Sequence, residues 1–237
     1  MPAKKYLITE KVKASYTAIA HEFDRTRQQS WPEFEHFLDY VKEGAKVLDV
    51  GCGNGRLFEK LREKKVVYLG VDHNESLLKK AKENFPEADF QLMDMVSLHL
   101  KKNYYNNLFC IAAFHHLPTK TLRKKVLADF HRSLKKDGVL ILTTWNLFQR
   151  RYLGSLLKSI FRSIFTLGTT GVWNDFWIKW GNYPLKRYYH CFLPSELYSF
   201  FDKKKWQIEE FYFTKKGNRV SFWGSFNLVV IAKKIKD

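Results

Sequence analysis

The 237-residue chain is 45% hydrophobic, enough to bury the core of one full domain. Its 12 Gly and 6 Pro leave no room for a long flexible linker or low-complexity arm. Forty-one Lys+Arg against 24 Asp+Glu give a formal net charge of +17, ten of which fall in residues 146–237. An excess of that size draws a polyanion, nucleic acid before an anionic membrane surface, unless it serves solubility alone. The opening residues lack the apolar core of a secretion signal, and no run is long enough to insert stably in a bilayer, so the chain is expected to be cytoplasmic. Cys52, Cys110 and Cys191 form no CxxC pair, which argues against a zinc site and a disulfide framework.

In chain order, residues 47–50 (VLDV) read as a buried strand that ends at glycines, and Leu57, Phe58 and Leu61 then recur at helical spacing. Residues 66–71 predict a second strand, and Leu77, Leu78, Ala81 and Phe85 a second helix. Residues 88–92 and 108–113 are further strand candidates. Leu122, Val126, Phe130 and Leu134 make a helical stripe that stops at Asp137-Gly138, and residues 139–144 (VLILTT) are the fifth strand. Alternation of this kind predicts an α/β fold with a mostly parallel sheet covered on both faces. Residues 146–187 break the pattern, with basic and aromatic groups and no strand of the earlier type. Within them Leu156, Leu157, Ile160, Phe161, Ile164 and Phe165 share one helical face, with Lys158 and Arg162 opposite. Residues 206–213 and 226–232 read as closing strands around a 215–218 turn. The whole chain, 1–237, is expected to be one domain with an insertion after the fifth strand.

Gly51, Cys52, Gly53, Asn54 and Gly55 follow the first strand and precede a helix, so the backbone can turn sharply and a ligand can approach main-chain amides. Asp72 ends the second strand, where a carboxylate can accept from both hydroxyls of a ribose. The glycines alone are weak evidence; strand, glycines, helix, strand and acid in order point to a nucleoside cofactor. The G-x-G-x-G spacing differs from the dinucleotide G-x-G-x-x-G, whose helix N-terminus faces a pyrophosphate. S-Adenosylmethionine, which has no phosphate, suits it better. Asp94, past the third strand, can accept from an adenine amino group or cap a turn.

VLDVGCGNG, GVD and the His115-His116 pair after the fourth strand resemble a Rossmann-like class I S-adenosylmethionine-dependent methyltransferase. The segments YTAIAHEFDRTRQQSWP (16–32) and RYYH (187–190) narrow the resemblance to the tRNA wobble-uridine carboxymethyl methyltransferases, including the methyltransferase domain of the AlkB-like tRNA enzymes. It covers most of residues 16–145 and resumes at about 175–232. The resemblance implies a seven-stranded sheet, a helical cap over the cofactor in residues 1–40, and a lid or substrate insertion in 146–187. It further implies that Tyr16 and Arg27 close over the methionine carboxylate and that Asp49, Gly51, Cys52, Gly53 and Gly55 surround the methionine end. Asp72 with His73 would hold the ribose, Asp94 with Met95 the adenine, and Ala112 and Ala113 would line the pocket. Tyr105-Asn106 stands where the family usually has Phe-Asp, and residues 146–174 have no counterpart. The small zinc-binding activator of the eukaryotic members is therefore not assumed.

For a uridine carboxymethyl acceptor the carboxylate is ionised at neutral pH, with a pKa of about 4, and no general base is needed. The site then needs a cation and donors, which Arg187, Tyr188, Tyr189 and His190 offer within four residues. Strand-like alternation would prevent all four from converging, and Tyr188 and Tyr189 could instead be core aromatics at the start of a helix. His116 is the favoured substrate-side histidine, and Trp145 can stack on a target base or cap the core. The basic–aromatic stretches at Arg150-Arg151-Tyr152, 158–165 and 173–179 suit a tRNA partner. The 156–165 helix could instead lie on a membrane surface. The alternative function is a small-molecule or lipid O/N-methyltransferase with an apolar lid and a histidine base.

Overall fold

Apolar alternation in the first strand sets the two faces of the central sheet. The computed structural model describes residues 2–27, 30–149, 152–165, 172–181 and 183–236, with side chains from residue 7 onward. Its strands are β1 (Lys46–Val50), β2 (Val67–Asp72), β3 (Asp89–Leu92), β4 (Tyr105–Ile111), β5 (Leu134–Trp145), β6 (Asp175–Lys179), β7 (Lys186–His190), β8 (Trp206–Lys215), β9 (Asn218–Arg219) and β10 (Asn227–Lys234). The main sheet runs β3-β2-β1-β4-β5-β10-β8-β9. β3 through β5 pair in parallel, and β10 is antiparallel to both its neighbours. It is the expected seven-stranded α/β sheet with the two-residue β9 added at one edge.

Leu48 and Val50 point into a core that α5 (Lys120–Ser133) closes with Val126, Leu127 and Phe130. Val47 points the other way, into a core closed by α2 (Glu33–Leu38), α3 (Phe58–Leu61) and α4 (Glu75–Asn84). Both faces are thus buried, as a parallel sheet requires. The helix starts are capped where the sequence supplies an acceptor: Asn74 accepts from Leu77 N–H at 3.1 Å and Thr119 from Leu122 N–H at 3.2 Å. α1 (Pro2–Arg25) lies across the carboxyl end of the sheet. Asn74 donates to Thr17 Oγ1 at 3.0 Å, Asn54 to Asp24 at 2.9 Å, and Ser15 to the Lys186 carbonyl at 3.3 Å.

Three expectations for the region after β5 need correction. Residues 175–190 hold an antiparallel hairpin, β6 with β7, in register Asp175↔His190 through Lys179↔Lys186. Tyr188 and Tyr189 therefore stand in a strand and not at the start of a helix. The helix α6 (Leu153–Phe165) forms, but Leu157, Phe161, Ile164 and Phe165 face solvent, while Arg162 leans inward to the Asp175 carbonyl at 2.9 Å. Arg150 and Arg151 lie outside the described residues.

Candidate active site

A cleft opens where β1, β2 and β4 end, at the switch point of an open α/β sheet where ligands are expected. Its wall includes Tyr16, Arg27, Asp49, Gly51, Cys52 and Gly53, and further Asp72, His73, Asp94, Met95, Ala112, His116 and Trp145. Gly51 has φ +77, and a Cβ there would come within 2.5 Å of the Ala113 Cβ, so only glycine fits. Gly55 plays another part. A Cβ on it would meet the Phe90 ring at 2.8 Å, and the residue supports the loop from behind without lining the cleft.

Asp72 is anchored twice by main-chain donors, Gly53 N–H to Oδ2 at 3.0 Å and Asn74 N–H to Oδ1 at 2.9 Å. Oδ2 keeps a lone pair for a further donor, while Oδ1 also faces His73 Nδ1 at 3.4 Å, so the carboxylate can accept from a ribose. Asp94 accepts from Val96 N–H at 2.9 Å through Oδ1, which leaves its other oxygen for a ligand; it is a cap and a wall residue at once. Asp49 is fully enclosed, and burial pushes its carboxyl up to about 7, opposed by the hydrogen bond that Tyr68 donates at 2.9 Å. Ala112 adopts a left-handed backbone, φ +52, held by the Thr143 carbonyl at 3.1 Å and hydroxyl at 2.9 Å. Such strain persists only where neighbours enforce it.

On the far side a directed chain of hydrogen bonds crosses the cleft. His116 Nδ1–H donates to the Tyr188 carbonyl at 2.7 Å, which leaves Nε2 to accept from the Tyr16 hydroxyl at 2.9 Å. Arg187 donates to that same Tyr16 oxygen at 3.2 Å. Burial lowers His116 to about 3, with the Arg187 charge adding to the effect, so its imidazole is neutral across the physiological range. His115 is lowered too, by burial and then by His116.

Strand alternation divides the four RYYH residues. Arg187 and Tyr189 face the cleft side, where Tyr189 stacks on Trp145 at 5.2 Å. Tyr188 and His190 face away: the Tyr188 hydroxyl donates to Asp175 at 2.6 Å, and the His190 ring nitrogens lie 2.8 Å from Asp175 and 2.8 Å from Glu196. His190 thereby ties the hairpin to α7 (Pro194–Tyr198), and Tyr188 ties β7 to β6, both positioning tasks.

The sequence reading missed Trp31, Arg56 and Trp180. The three come from segments remote in sequence, and no local spacing links them. The Trp180 ring lies between two guanidinium groups, Arg27 at 4.1 Å and Arg187 at 4.4 Å from its centroid. Arg56 stacks over Trp31 at 4.4 Å. A second opening adjoins the first and is lined by Trp31, Trp145 and Trp180 with Arg27 and Arg56. Burial lowers Arg27 to about 10 and Arg56 to about 9, and both stay cationic at neutral pH. Among the described residues, none of Arg27, Arg56 and Arg187 pairs with a carboxylate. Arg187 Nε and Ser30 Oγ are buried without a hydrogen-bond partner. Buried polar atoms of this kind call for a ligand.

A family model described as a methyltransferase domain matches residues 47–138, from β1 through the β5 turn. The matched segment is a methyltransferase domain, and the fold is that of S-adenosylmethionine-dependent methyltransferases of known structure. The chain is 32% identical over 130 residues to the tRNA (carboxymethyluridine(34)-5-O)-methyltransferase of Arabidopsis thaliana, covering 55% of this chain and 31% of that protein. It spans 31% and 22% of the first two curated relatives it matches. A Methanosarcina mazei S-adenosylmethionine-dependent methyltransferase superposes with TM-score 0.71 at 20% identity, covering 85% of this chain and 98% of that one. A putative methyltransferase of Haloferax volcanii, solved in complex with the Trm112 methyltransferase activator, gives TM-score 0.68 at 15% identity, with coverage of 95% and 98%. The M. mazei neighbour depends on S-adenosylmethionine. The cleft suits the three polar ends of that cofactor, with a doubly anchored carboxylate in Asp72, an open oxygen on Asp94, and a cationic Arg27 without an acidic partner.

Proposed function

We propose that this methyltransferase esterifies a carboxylate, that of a carboxymethyl group on a wobble uridine in tRNA. One observation carries the reading: Arg27 and Arg56 line the cleft and Arg187 donates to its wall residue Tyr16, none of them paired with a carboxylate among the described residues, while of the two wall histidines His116 is lowered to about 3 and His73 lies against Asp72. An ionised carboxylate needs a cation to hold it and no base to activate it. A hydroxyl or amine acceptor needs a base poised near neutral pH; His116 is too weak for that, and His73 is held on the ribose side, 3.4 Å from Asp72 Oδ1.

When bound, S-adenosylmethionine supplies an electrophilic methyl on a sulfonium. Asp72 holds the ribose and Asp94 with Met95 the adenine, and Tyr16 with Arg27 closes on the methionine carboxylate. Arg187 orients the acceptor carboxylate, and His116 fixes the Tyr16 hydroxyl from below. Trp31, Trp145 and Trp180 form the walls against which a splayed base can stack. The net charge of +17 supports an RNA partner. The apolar-lid alternative gains nothing from α6, whose exposed residues line neither opening.

The test is transfer of labelled methyl from the cofactor to tRNA with and without the carboxymethyl group, read by nucleoside mass spectrometry. Label confined to the carboxymethyl-bearing tRNA is the expected result, and equal labelling of both would defeat the proposal. Because the H. volcanii neighbour was solved with an activator, the assay includes an arm with a Trm112-type protein. Stimulation there would extend the proposal to a two-component enzyme.

A further inference from the structure

α6 is an amphipathic helix docked the wrong way round for a monomer in water. Its inner face carries Ser159, which is 3% exposed and donates to the Asp175 carbonyl at 2.7 Å. Its outer face carries Leu153, Leu157, Phe161, Ile164 and Phe165, with Phe165 82% exposed. These positions fall within one turn-spaced arc, so the arc is a continuous apolar stripe. Beyond the helix the aromatic surface continues. Trp173 contacts Phe148 at 5.9 Å, Phe148 contacts Phe222 at 5.7 Å, and Phe222 contacts Trp223, which is 76% exposed. An exposed patch of this kind marks a binding surface.

The chemistry of the patch selects its occupant. α6 contains no acidic residue, and exposed Lys158 borders the stripe. Residues 146–187 have only Asp175 against a series of Lys and Arg. A second copy of this chain would bring another +17 against it. RNA, which is held through phosphate contacts and stacked bases, would gain little from the aliphatic carbons of the arc. An anionic lipid surface meets every feature. The apolar arc would enter the acyl boundary, Trp173 and Trp223 would sit at the headgroup level, and Lys158 would face the phosphates. The helix has 13 residues and is too short to cross a bilayer, so it lies flat. We propose that the outward face of α6, flanked by Trp173 and Trp223, is an interfacial docking site for anionic phospholipid membranes.

The experiment is flotation of the full chain with vesicles of phosphatidylcholine alone and of phosphatidylcholine with 30% phosphatidylserine, at near-physiological salt. The expected result is binding to the anionic vesicles, weakened at least about tenfold by Phe161→Ser with Phe165→Ser, since both rings leave the acyl boundary. Lys158→Glu should weaken binding to the anionic vesicles and not the residual binding to neutral ones. Circular dichroism and cofactor affinity check that the variants are folded; these residues are outside the cleft. Wild-type flotation by the double serine variant overturns the proposal. So does a variant that keeps vesicle binding but loses tRNA affinity, or one that only converts a dimer to a monomer.

Discussion

Moving the pH from 6 to 8.5 separates an anionic acceptor from one that must be deprotonated. His116 is the wall histidine that meets Tyr16, and burial followed by the Arg187 charge lowers it to about 3. At pH 7 that lies about four units below ambient pH, so protonating the ring costs about 5 kcal/mol, a factor on the order of ten thousand. A base so weak gives little driving force to a proton transfer. Burial outweighs the Tyr188 carbonyl, which accepts from Nδ1–H at 2.7 Å and favours the charged ring, and Nε2 already accepts from Tyr16 at 2.9 Å. Single-turnover rates with saturating cofactor and carboxymethyl-bearing tRNA should therefore be flat over this range. His116→Asn should lower the rate through mispositioned Tyr16 without introducing or removing a pH limb. An ascending limb near pH 6.5–7 in the wild type that disappears in His116→Asn would refute the reasoning and restore the histidine-base alternative.

Asp72→Ala removes the proposed acceptor for the ribose hydroxyls along with its anchors to Gly53 and Asn74. At about 1.5–3 kcal/mol per charge-assisted bond, affinity for S-adenosylhomocysteine should fall on the order of a hundredfold or more in calorimetry; wild-type affinity would displace the assigned cofactor site. Arg187→Lys keeps the charge but loses the planar stack on Trp180 and the fork geometry. Turnover should drop roughly tenfold to a hundredfold with cofactor affinity retained, and unchanged kinetics in a folded variant would remove its substrate role. Asp49 has its folded pKa raised to about 7. The folded state therefore holds the proton more tightly than the unfolded chain does. Stability from this group is present at low pH and is lost as pH rises from the unfolded value through about 7. Asp49→Asn should gain about 2–3 kcal/mol more at pH 8 than at pH 5, relative to wild type, in denaturant melts; an equal effect at both pH values would place that carboxyl in water.

The cofactor half of the site was legible because it is local. VLDVGCGNG is a strand followed at once by the left-handed glycine turn, and Asp72 follows at the end of the adjoining strand, so short-range spacing contains the geometry. The acceptor half was not. Trp31, Arg56 and Trp180 meet only when α1, the glycine loop and the β6–β7 hairpin are assembled, and a cation–π stack has no sequence period. RYYH was ambiguous for a related reason. Four polar and aromatic residues fit a helix start or a strand equally well, and only pairing with residues 175–179 decides. In α6 the periodicity identified most of the residues that share a face but not the direction of that face. The Asp175 carbonyl drew Ser159 and Arg162 inward and turned the leucines and phenylalanines out.

The chemical bond formed is the most direct test of the central claim. A methyl placed on a carboxylate is an ester, and mild alkali releases it as methanol; a methyl placed on nitrogen, carbon or a ribose hydroxyl survives. Carboxymethyl-bearing tRNA labelled by the enzyme should lose its label quantitatively in mild base, regenerating the free acid. Alkali-stable label on that tRNA would contradict the account.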